Sequence, residues 1–527
     1  MHGKVIVFLR TSSVARVPLY SHLRSLGSTL VLVHPTTVLS EFDGLFHHWL
    51  PCETDDVEGV HLALSTFLAR LQLVPDAVVS FDEYAVYQAA AIAVRLNLTP
   101  VPLPPNALRE NNLKNLFRLF CNEHGISSPK SVPLPVEEVL PTRYEMRRLA
   151  QDEDALSMAF EKVQPALAAC ISETLKATAI MYPVVLKSSP GAGSILARLC
   201  ITLDDAVAHV WQIWKSLEDH LGLRYFTALA NRPPDGAVHE ESLPLVRILT
   251  EEFIEGQEVD MDCIIEHGVV RFCAISDNCS PTLPYLTEAG GLCPSLLGYD
   301  AQCALRDLLD TFVRAHGARL HGVIHFEAKY DPIRQRAYVI EVNCRPGSAE
   351  THMMLQTVYR GLNLGEAVVR CALHMPIQDQ LSRLFPELLG KQNGGSTVQQ
   401  ASRGASSSSS LSGLNANAHI MTSATESSIW SLLGGPSRGF FPSQCWAASV
   451  NIYPAQCGVL RKACVPLEDA SLVAYSIASR LGEVVAPPPK RFFLLCWMVA
   501  RGATAAEAKE NIYRVTSGFE QEVIWTQ

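Results

Sequence analysis

The chain has 527 residues, 48% of them apolar, with 43 Lys and Arg against 53 Asp and Glu for a formal net charge of −10. At roughly 150 residues per domain this is three or four domain-sized units with ample material for buried cores, which excludes a disordered chain. An acidic balance also argues against bulk binding to DNA or RNA phosphates, although a local basic cleft is compatible with it.

Val5–Leu9 is a short apolar run, followed by a predicted helix over Val17–Leu26 and a second run at Thr29–Val33. Asp76–Ser80 supplies another strand, and the alanine-rich Tyr84–Leu96 reads as a helix. Strands alternating with helices imply a parallel α/β sheet. Residues 1–105 are thus predicted to form an N-terminal Rossmann-like domain, closed by the proline-rich stretch Thr99–Pro105. No GxGxxG follows a strand there, so dinucleotide binding is not expected.

Asn111–His124 is predicted helical with a stop at Gly125, and Arg143–Ala179 reads as another helical stretch. A strand at Tyr182–Leu186 runs into Lys187 and a glycine-rich loop. Asp204–Leu217 reads as a helix, with Thr202 placed to cap it. Strands follow at Leu245–Ile254 and Val269–Ile275, and a helix at Gln302–His316. Lys391–Arg438, with the tract Ser406–Ser410 and few charges, is expected to be a flexible insertion. Patterning resumes near Trp446, with a strand at Phe492–Val499 and a helix at Thr504–Thr516.

No apolar run approaches the roughly 18 residues that span a bilayer, and the start of the chain lacks the apolar core of a secretory signal. Fifteen cysteines are scattered without CxxC spacing, an odd total that suits free thiols in a reducing compartment. A cytoplasmic protein with neither nucleic-acid nor membrane partners is the expectation.

Chemistry shows first in HGVIHFEAKYDPIRQRAYVIEVNCRPGS, His321–Ser348. Two apolar-rich runs flank Tyr330–Arg336, where Asp331-Pro332 favours a turn, so the segment reads as a β-hairpin. Alternation places His325, Glu327 and Lys329 on one side of the first strand, and Glu341 and Asn343 on one side of the second. A turn centred near Arg334 sets Glu327 opposite Glu341, where like charges destabilise a sheet. Two readings stand at this point. A hard divalent cation bridges the acids with help from the Asn343 amide, or the hairpin face is exposed and both acids meet water. Arg345 follows, suited to bidentate contact with phosphate or carboxylate.

Two weaker features precede it. PVVLKSSPGAGS, Pro183–Ser194, delivers Lys187 and then Gly191 and Gly193, whose backbone approaches an anion closely or simply makes a turn. LTEEFIEGQE, Leu249–Glu258, is a strand end rich in acids with a glycine break.

In this order and spacing, the three features resemble the ATP-grasp superfamily, in which ATP lies between two α+β subdomains. The resemblance implies that Lys187 contacts the nucleotide and that Gly191, Gly193 and Ser194 belong to the loop over the phosphates. Glu251, Glu252, Phe253 and Ile254 match the hinge that reads adenine, and Glu258 the ribose-binding acid. Glu327, Glu341 and Asn343 fall on the metal ligands, with Mg²⁺ or Mn²⁺ implied beside ATP. Arg345 matches the arginine near the transferred phosphoryl group, so Arg345 and Lys187 are the candidate catalytic residues. Lys114, in NNLKNLFRLFCNEHGISSPK, matches an earlier nucleotide-binding lysine, with Arg118 four residues on. Here Asn112 or Leu113 stands where an Asp is usual, as Cys344 replaces a proline and Ser348 a glycine in EVNCRPGS.

Within the superfamily, YPVVLKSSPGAGS, EEFIEGQEVDMDCII, AISDNCSPTLPYLTEAGGLCPSLL and VARGATAAEAKENIYRV are similar to the carnosine synthases. The fold class implied is α/β and α+β, an ATP-grasp architecture. Residues 1–105 are the preceding α/β domain, 106–255 and 256–376 the two parts of the grasp, 377–444 a linker, and 445–527 a C-terminal α+β domain. The activity implied is ligation of a carboxylate to an amine through an acyl phosphate, with amino acids as partners and a homo-oligomer as an open alternative. Glu288, in LTEAGG, either holds a substrate amino group or is a solvated loop acid, and Arg345 is a second candidate substrate contact. His325 is either a base or a hydrogen-bonded structural histidine. A biotin-carboxylase-like enzyme and a nucleotide-binding regulator without catalysis are the competing readings. The former lacks an MKM-type carrier site in this chain, and the latter has no need for all of Lys187, Glu327, Glu341, Asn343 and Arg345.

Overall fold

A computed structural model describes residues 1–35, 40–189, 195–216, 247–389, 429–488 and 490–525. The first sheet is four parallel strands in the order β3-β2-β1-β4, comprising β1 (Val5–Leu9), β2 (Thr29–His34), β3 (His48–Pro51) and β4 (Ala77–Val79). Every residue of β1 is buried, as both faces of a parallel sheet are covered by its crossover helices. Asp56 caps the Val57–Leu71 helix by accepting from the Glu58 and Gly59 N–H groups, and Val57, Val60, Leu64 and Leu68 form its buried stripe.

A second, antiparallel sheet has the order β5-β8-β6-β7, made of β5 (Ser131–Pro133), β6 (Val184–Ser188), β7 (Arg198–Cys200) and β8 (Ile248–Glu252). Lys187 therefore lies inside its strand. The helical stretch expected over Arg143–Ala179 is two helices, Arg143–Leu149 and Glu153–Thr178. Asp152 breaks the run, because its carboxylate accepts from the Asp154 and Ala155 N–H groups and starts a new helix. Thr202 Oγ1 accepts from the Asp205 N–H at 3.1 Å and caps the Leu203–Ser216 helix.

The largest sheet has eight strands in the order β13-β12-β9-β10-β11-β14-β18-β16. Five come from the middle of the chain, β9 (Gln257–Glu266), β10 (Val269–Asn278), β11 (Gly291–Cys293), β12 (Gly322–Asp331) and β13 (Arg336–Asn343). β14 (Trp446–Ile452), β16 (Leu472–Ile477) and β18 (Cys496–Gly502) come from the C-terminal portion. The sequence boundary at 445 is thus not a boundary of the sheet, which runs through the β11–β14 pairing of Leu292 with Ala448 and Cys293 with Ala447. A separate three-stranded sheet, β17-β15-β19, comprises β15 (Gly458–Cys464), β17 (Val484–Val485) and β19 (Glu520–Ile524).

One face of β9, β10 and β12 presents Cys263, Ile275, Ile324 and Phe326 to a core shared with Phe312 of the Tyr299–His316 helix and Phe117 of the Lys114–Glu123 helix. On the other face Ile264, Ala274 and Val323 join a core with Phe8 and Leu32 of the first sheet and with Leu355 and Val368. That second face changes character along the strands, from Ile264 and Val323 to Asp262, Asp260, His325 and Glu327. The apolar end anchors the N-terminal domain, and the polar end is left for chemistry.

The segment expected to be flexible, Lys391–Arg438, is corrected at its end. Residues 429–438 form a short helix, Ile429–Leu432, and a 3₁₀ turn, Gly435–Arg438. Leu433 is buried and Arg438 pairs with Asp307 and Asp310 at 2.6 and 3.2 Å. The average composition of the insertion concealed a local apolar anchor. The Ser406–Ser410 tract lies outside the described residues. Among the described residues no helix is long and apolar enough to cross a membrane, and all fifteen cysteines are free.

Gly290 marks the seam between the middle and C-terminal strands. Its φ of +122° and the overlap that a Cβ would make with the Ser449 carbonyl leave room for glycine alone. Gly290→Ala is expected to lower stability by about 1–3 kcal/mol, measured by urea unfolding.

Candidate active site

The hairpin places Glu327 opposite Glu341 and, on its other side, opposite Asp260 of β9. His325 lies opposite Asn343 and Asp262. A row of carboxylates therefore crosses three adjacent strands. Asn343 Nδ2 donates to Glu327 Oε1 at 2.7 Å, fixing both side chains. Burial first, then Glu341, pushes the Glu327 carboxyl well above its ordinary range. Two carboxylates forced together in a half-enclosed pocket form a hard oxygen donor set, and a divalent cation fits the charge they accumulate. Lys114 Nζ meets Glu341 Oε1 at 3.2 Å and offsets part of that charge.

His325 is enclosed by acids, with Nδ1 3.2 Å from Asp262 Oδ1 and Nε2 3.7 Å from Asp260 Oδ2 and 3.8 Å from Glu327 Oε1. Burial would lower its pKa, but Asp260 and Asp262 outweigh it and hold the imidazolium up to about 10. A histidine charged at neutral pH has no lone pair with which to take a proton. Its contact with Asp262 ties β12 to β9. Asp262 Oδ1 also accepts the Gly347 N–H at 3.0 Å, anchoring the loop after Arg345.

Opposite this sheet, Glu251 of β8 is a buried hub. Its Oε1 accepts from Arg118 Nε at 2.9 Å, and its Oε2 from Lys187 Nζ at 2.6 Å and Arg118 Nη2 at 3.1 Å. Lys187 and Glu251 are diagonal neighbours on one face, since Lys187 pairs with Leu249. Burial alone would raise the Glu251 pKa, yet Arg118 and Lys187 bring it down to about 2. Arg118 Nη2 also donates to the Ile340 carbonyl of β13 at 2.8 Å, so the cluster reaches across to the hairpin. Expected as part of an adenine hinge, Glu251 has its carboxylate committed to these two cations.

Arg345 is held from the N-terminal domain. Its Nε lies 2.8 Å from Glu83 Oε2, and its Nη1 donates to the Pro346 carbonyl at 3.0 Å. Arg16 Nη2 donates to that same carbonyl at 3.0 Å. Lys329 contacts Glu258 Oε2 at 3.3 Å and stands over the Phe253 ring at 4.8 Å. Glu288 projects into open cavity space, where loss of surrounding bulk water, then Glu350 and Asp260, push its carboxyl up to about 8.

Most of the charged side chains on the two facing sheets line one cavity of about 240 Å³, with Arg118, Asp262 and Glu83 behind its wall. It brings together Lys114, Lys187, Glu251, Glu252, Phe253, Ile254, Glu258, Glu288, Glu327, Glu341, Asn343 and Arg345. Gly191, Gly193 and Ser194 lie outside the described residues. Sequence reasoning left Asp260, Asp262 and Glu83 unassigned, and noted Arg118 without giving it a role. The alternation of acid and apolar residues in VDMD carried a signal for the two aspartates. Glu83 had none, because it reaches Arg345 only through the tertiary fold.

No protein-family model matches the chain. Over 200 residues, 38% of this chain, it is 30% identical to carnosine synthase 1 of Gallus gallus, and the match spans 20% of that protein's length. The structure is similar to that of an L-amino acid ligase from Bacillus licheniformis, with a TM-score of 0.66 at 14% identity, covering 100% of both chains. It is also similar to the MgADP and bicarbonate complex of a biotin carboxylase domain from Hydrogenobacter thermophilus, with a TM-score of 0.58 at 12% identity, covering 98% of this chain and 90% of that one. A third similar structure is the ADP complex of N5-carboxyaminoimidazole synthetase from Staphylococcus aureus, with a TM-score of 0.57 at 9% identity and 98% of both chains covered. The chain has the ATP-grasp fold. The cavity lies between the four-stranded antiparallel sheet and the eight-stranded sheet.

Glu251→Ala strands two buried cations and is expected to lower stability by about 3–5 kcal/mol. Because the folded carboxyl titrates below its ordinary range, its stabilisation is complete above pH 4.5 and is lost as pH falls toward 2. The stability difference between wild type and Glu251→Gln should therefore shrink over that window in urea titrations. A difference unchanged by pH there contradicts the assignment.

Proposed function

We propose that the protein is an ATP-dependent carboxylate–amine ligase that joins two amino acids into a dipeptide, as in the carnosine synthase to which it is similar. One observation carries this reading. A single cavity combines the Glu327–Glu341 carboxylate pair and Asn343 with the cations Lys114, Lys187 and Arg345. Phosphoryl transfer needs both halves of that set.

In this reading, the γ-phosphoryl group of ATP passes to a substrate carboxylate oxygen, and the bond to the ADP oxygen breaks. The amine lone pair of the second substrate then attacks the acyl carbon, phosphate leaves, and the nitrogen loses a proton. Mg²⁺, held by Glu327, Glu341 and Asn343 when bound, neutralises phosphate charge. Lys114 and Lys187 project into the cavity from the first half of the grasp to hold the phosphates. Phe253 and Ile254 offer an apolar wall and backbone groups for the base, and Glu258 a carboxylate for ribose hydroxyls. Arg345, pinned by Glu83, presents its remaining guanidinium nitrogens where negative charge develops on the transferred group. Glu288 faces the substrate amino group, since a carboxyl crowded by other acids gains most from an ammonium partner.

Purified protein with Mg-ATP should release phosphate only when both amino-acid substrates are present, followed by a coupled phosphate assay across amino-acid pairs. Release with bicarbonate alone would instead indicate a carboxylase. Nucleotide binding without turnover across the panel would indicate a regulatory binder. Glu341→Ala and Glu327→Ala should each reduce kcat by at least about 100-fold. Glu288→Gln should raise KM for the amino acid at least about tenfold, with KM for ATP unchanged.

A further inference from the structure

A second chamber, of about 630 Å³, opens beside the nucleotide cavity. The two share Glu288, Arg345 and Ser348 in their walls, so whatever reacts beside Arg345 has direct access to both. The chamber forms where three parts of the chain meet. The N-terminal domain contributes the Ser12–Arg16 and Asp82–Tyr84 loops, and the C-terminal portion contributes Ile477, Phe492, Phe493 and Trp497.

Its chemistry is divided. Arg345 and Glu288 at the shared wall and Glu350 within the chamber supply one cationic and two acidic groups, enough to recognise both ends of a zwitterion. Asn451 Nδ2 donates to Glu350 Oε1 at 3.1 Å and fixes that carboxylate. The remaining wall is aromatic and aliphatic. Phe493 is 67% exposed, and Ile477 and Val484 are also open to solvent. A surface that leaves phenylalanine in water beside a charged recognition site gains by being covered with a ligand. The volume also far exceeds what an alanine-sized substrate fills.

We propose that this chamber is the side-chain subsite for one amino-acid substrate, and that it selects a bulky apolar or aromatic side chain. Phe492, Phe493 and Trp497 are the specificity-determining residues. The zwitterionic head lies at Arg345, Glu288 and Glu350, and the side chain lies along the aromatic wall. The assignment deepens the ligase reading and rests on it for the identity of the head group.

The test pairs binding with turnover. Calorimetric titration of the full chain with L-phenylalanine, L-leucine and glycine, in the presence of Mg-ADP, should give about ten- to hundred-fold tighter binding for the bulky pair. Phe493→Ala, at an exposed position where misfolding is not expected, should reduce that discrimination at least about threefold without weakening glycine binding. Trp497→Leu provides a second variant that keeps an apolar residue in the sheet, and it should change the ratio of phenylalanine to leucine affinity. Equal affinity for glycine and phenylalanine overturns the subsite, as does discrimination that neither substitution changes. Discrimination in binding with no phosphate release for any amino-acid pair leaves the subsite standing and overturns the ligase reading. Phosphate release that is indifferent to side-chain size, in wild type and Phe493→Ala alike, does the reverse.

Discussion

The carboxylate of Glu251 is the constraint on which the rest of the site depends. It is buried between Arg118 and Lys187, which arrive from a helix and a neighbouring strand. Buried charge is costly unless it is paired and fully hydrogen-bonded, so each of the three groups confines the other two. Lys187 is thereby held at the cavity wall with its stem in the sheet. Arg118 extends the same network to the Ile340 carbonyl, which couples the four-stranded antiparallel sheet to the hairpin. The cavity between the two sheets thus has one wall whose position is already set.

The hairpin side is organised by the opposite imbalance. Asp260, Asp262, Glu327 and Glu341 outnumber the cations nearest to them, and His325 is kept protonated by the first two. A permanent imidazolium among carboxylates fixes their positions without consuming all their charge. What remains at Glu327 and Glu341 is the negative potential that suits a divalent cation. The molecule's overall charge of −10 is therefore a poor guide to this pocket, where separate basic and acidic walls face one another.

Arg345 shows how far the site reaches. The N-terminal domain carries no nucleotide fingerprint, yet its Glu83 grips the arginine and its Arg16 braces the following loop. The C-terminal strands, which read as a separate unit along the chain, extend the central sheet and close the chamber beside the same arginine. Both outer portions thus reach the Arg345 end of the cavity.

Much of this was legible in the sequence because local rules govern it. Strand alternation put Glu327 and Glu341 face to face, and the structure has that register. Thr202 was readable as a cap because capping involves only near neighbours. Asp152 also acts locally, but its break in the long helical stretch went unread. The ordered end of the insertion was hidden because a mean composition does not register one buried leucine and one paired arginine. Lys187, the hairpin and the acidic linker lay in one interpretable order. The sequence by itself determined the register that sets Glu327 opposite Glu341 and the chain order of Lys187, the acidic linker and the hairpin. Only the tertiary structure decided that Glu251 is an ionic hub, that His325 is enclosed by Asp260, Asp262 and Glu327, and that Glu83 and the aromatic wall around Trp497 attend Arg345. Each of those roles is set by burial and by charges brought from distant parts of the chain, and neither quantity exists until the sheets have packed.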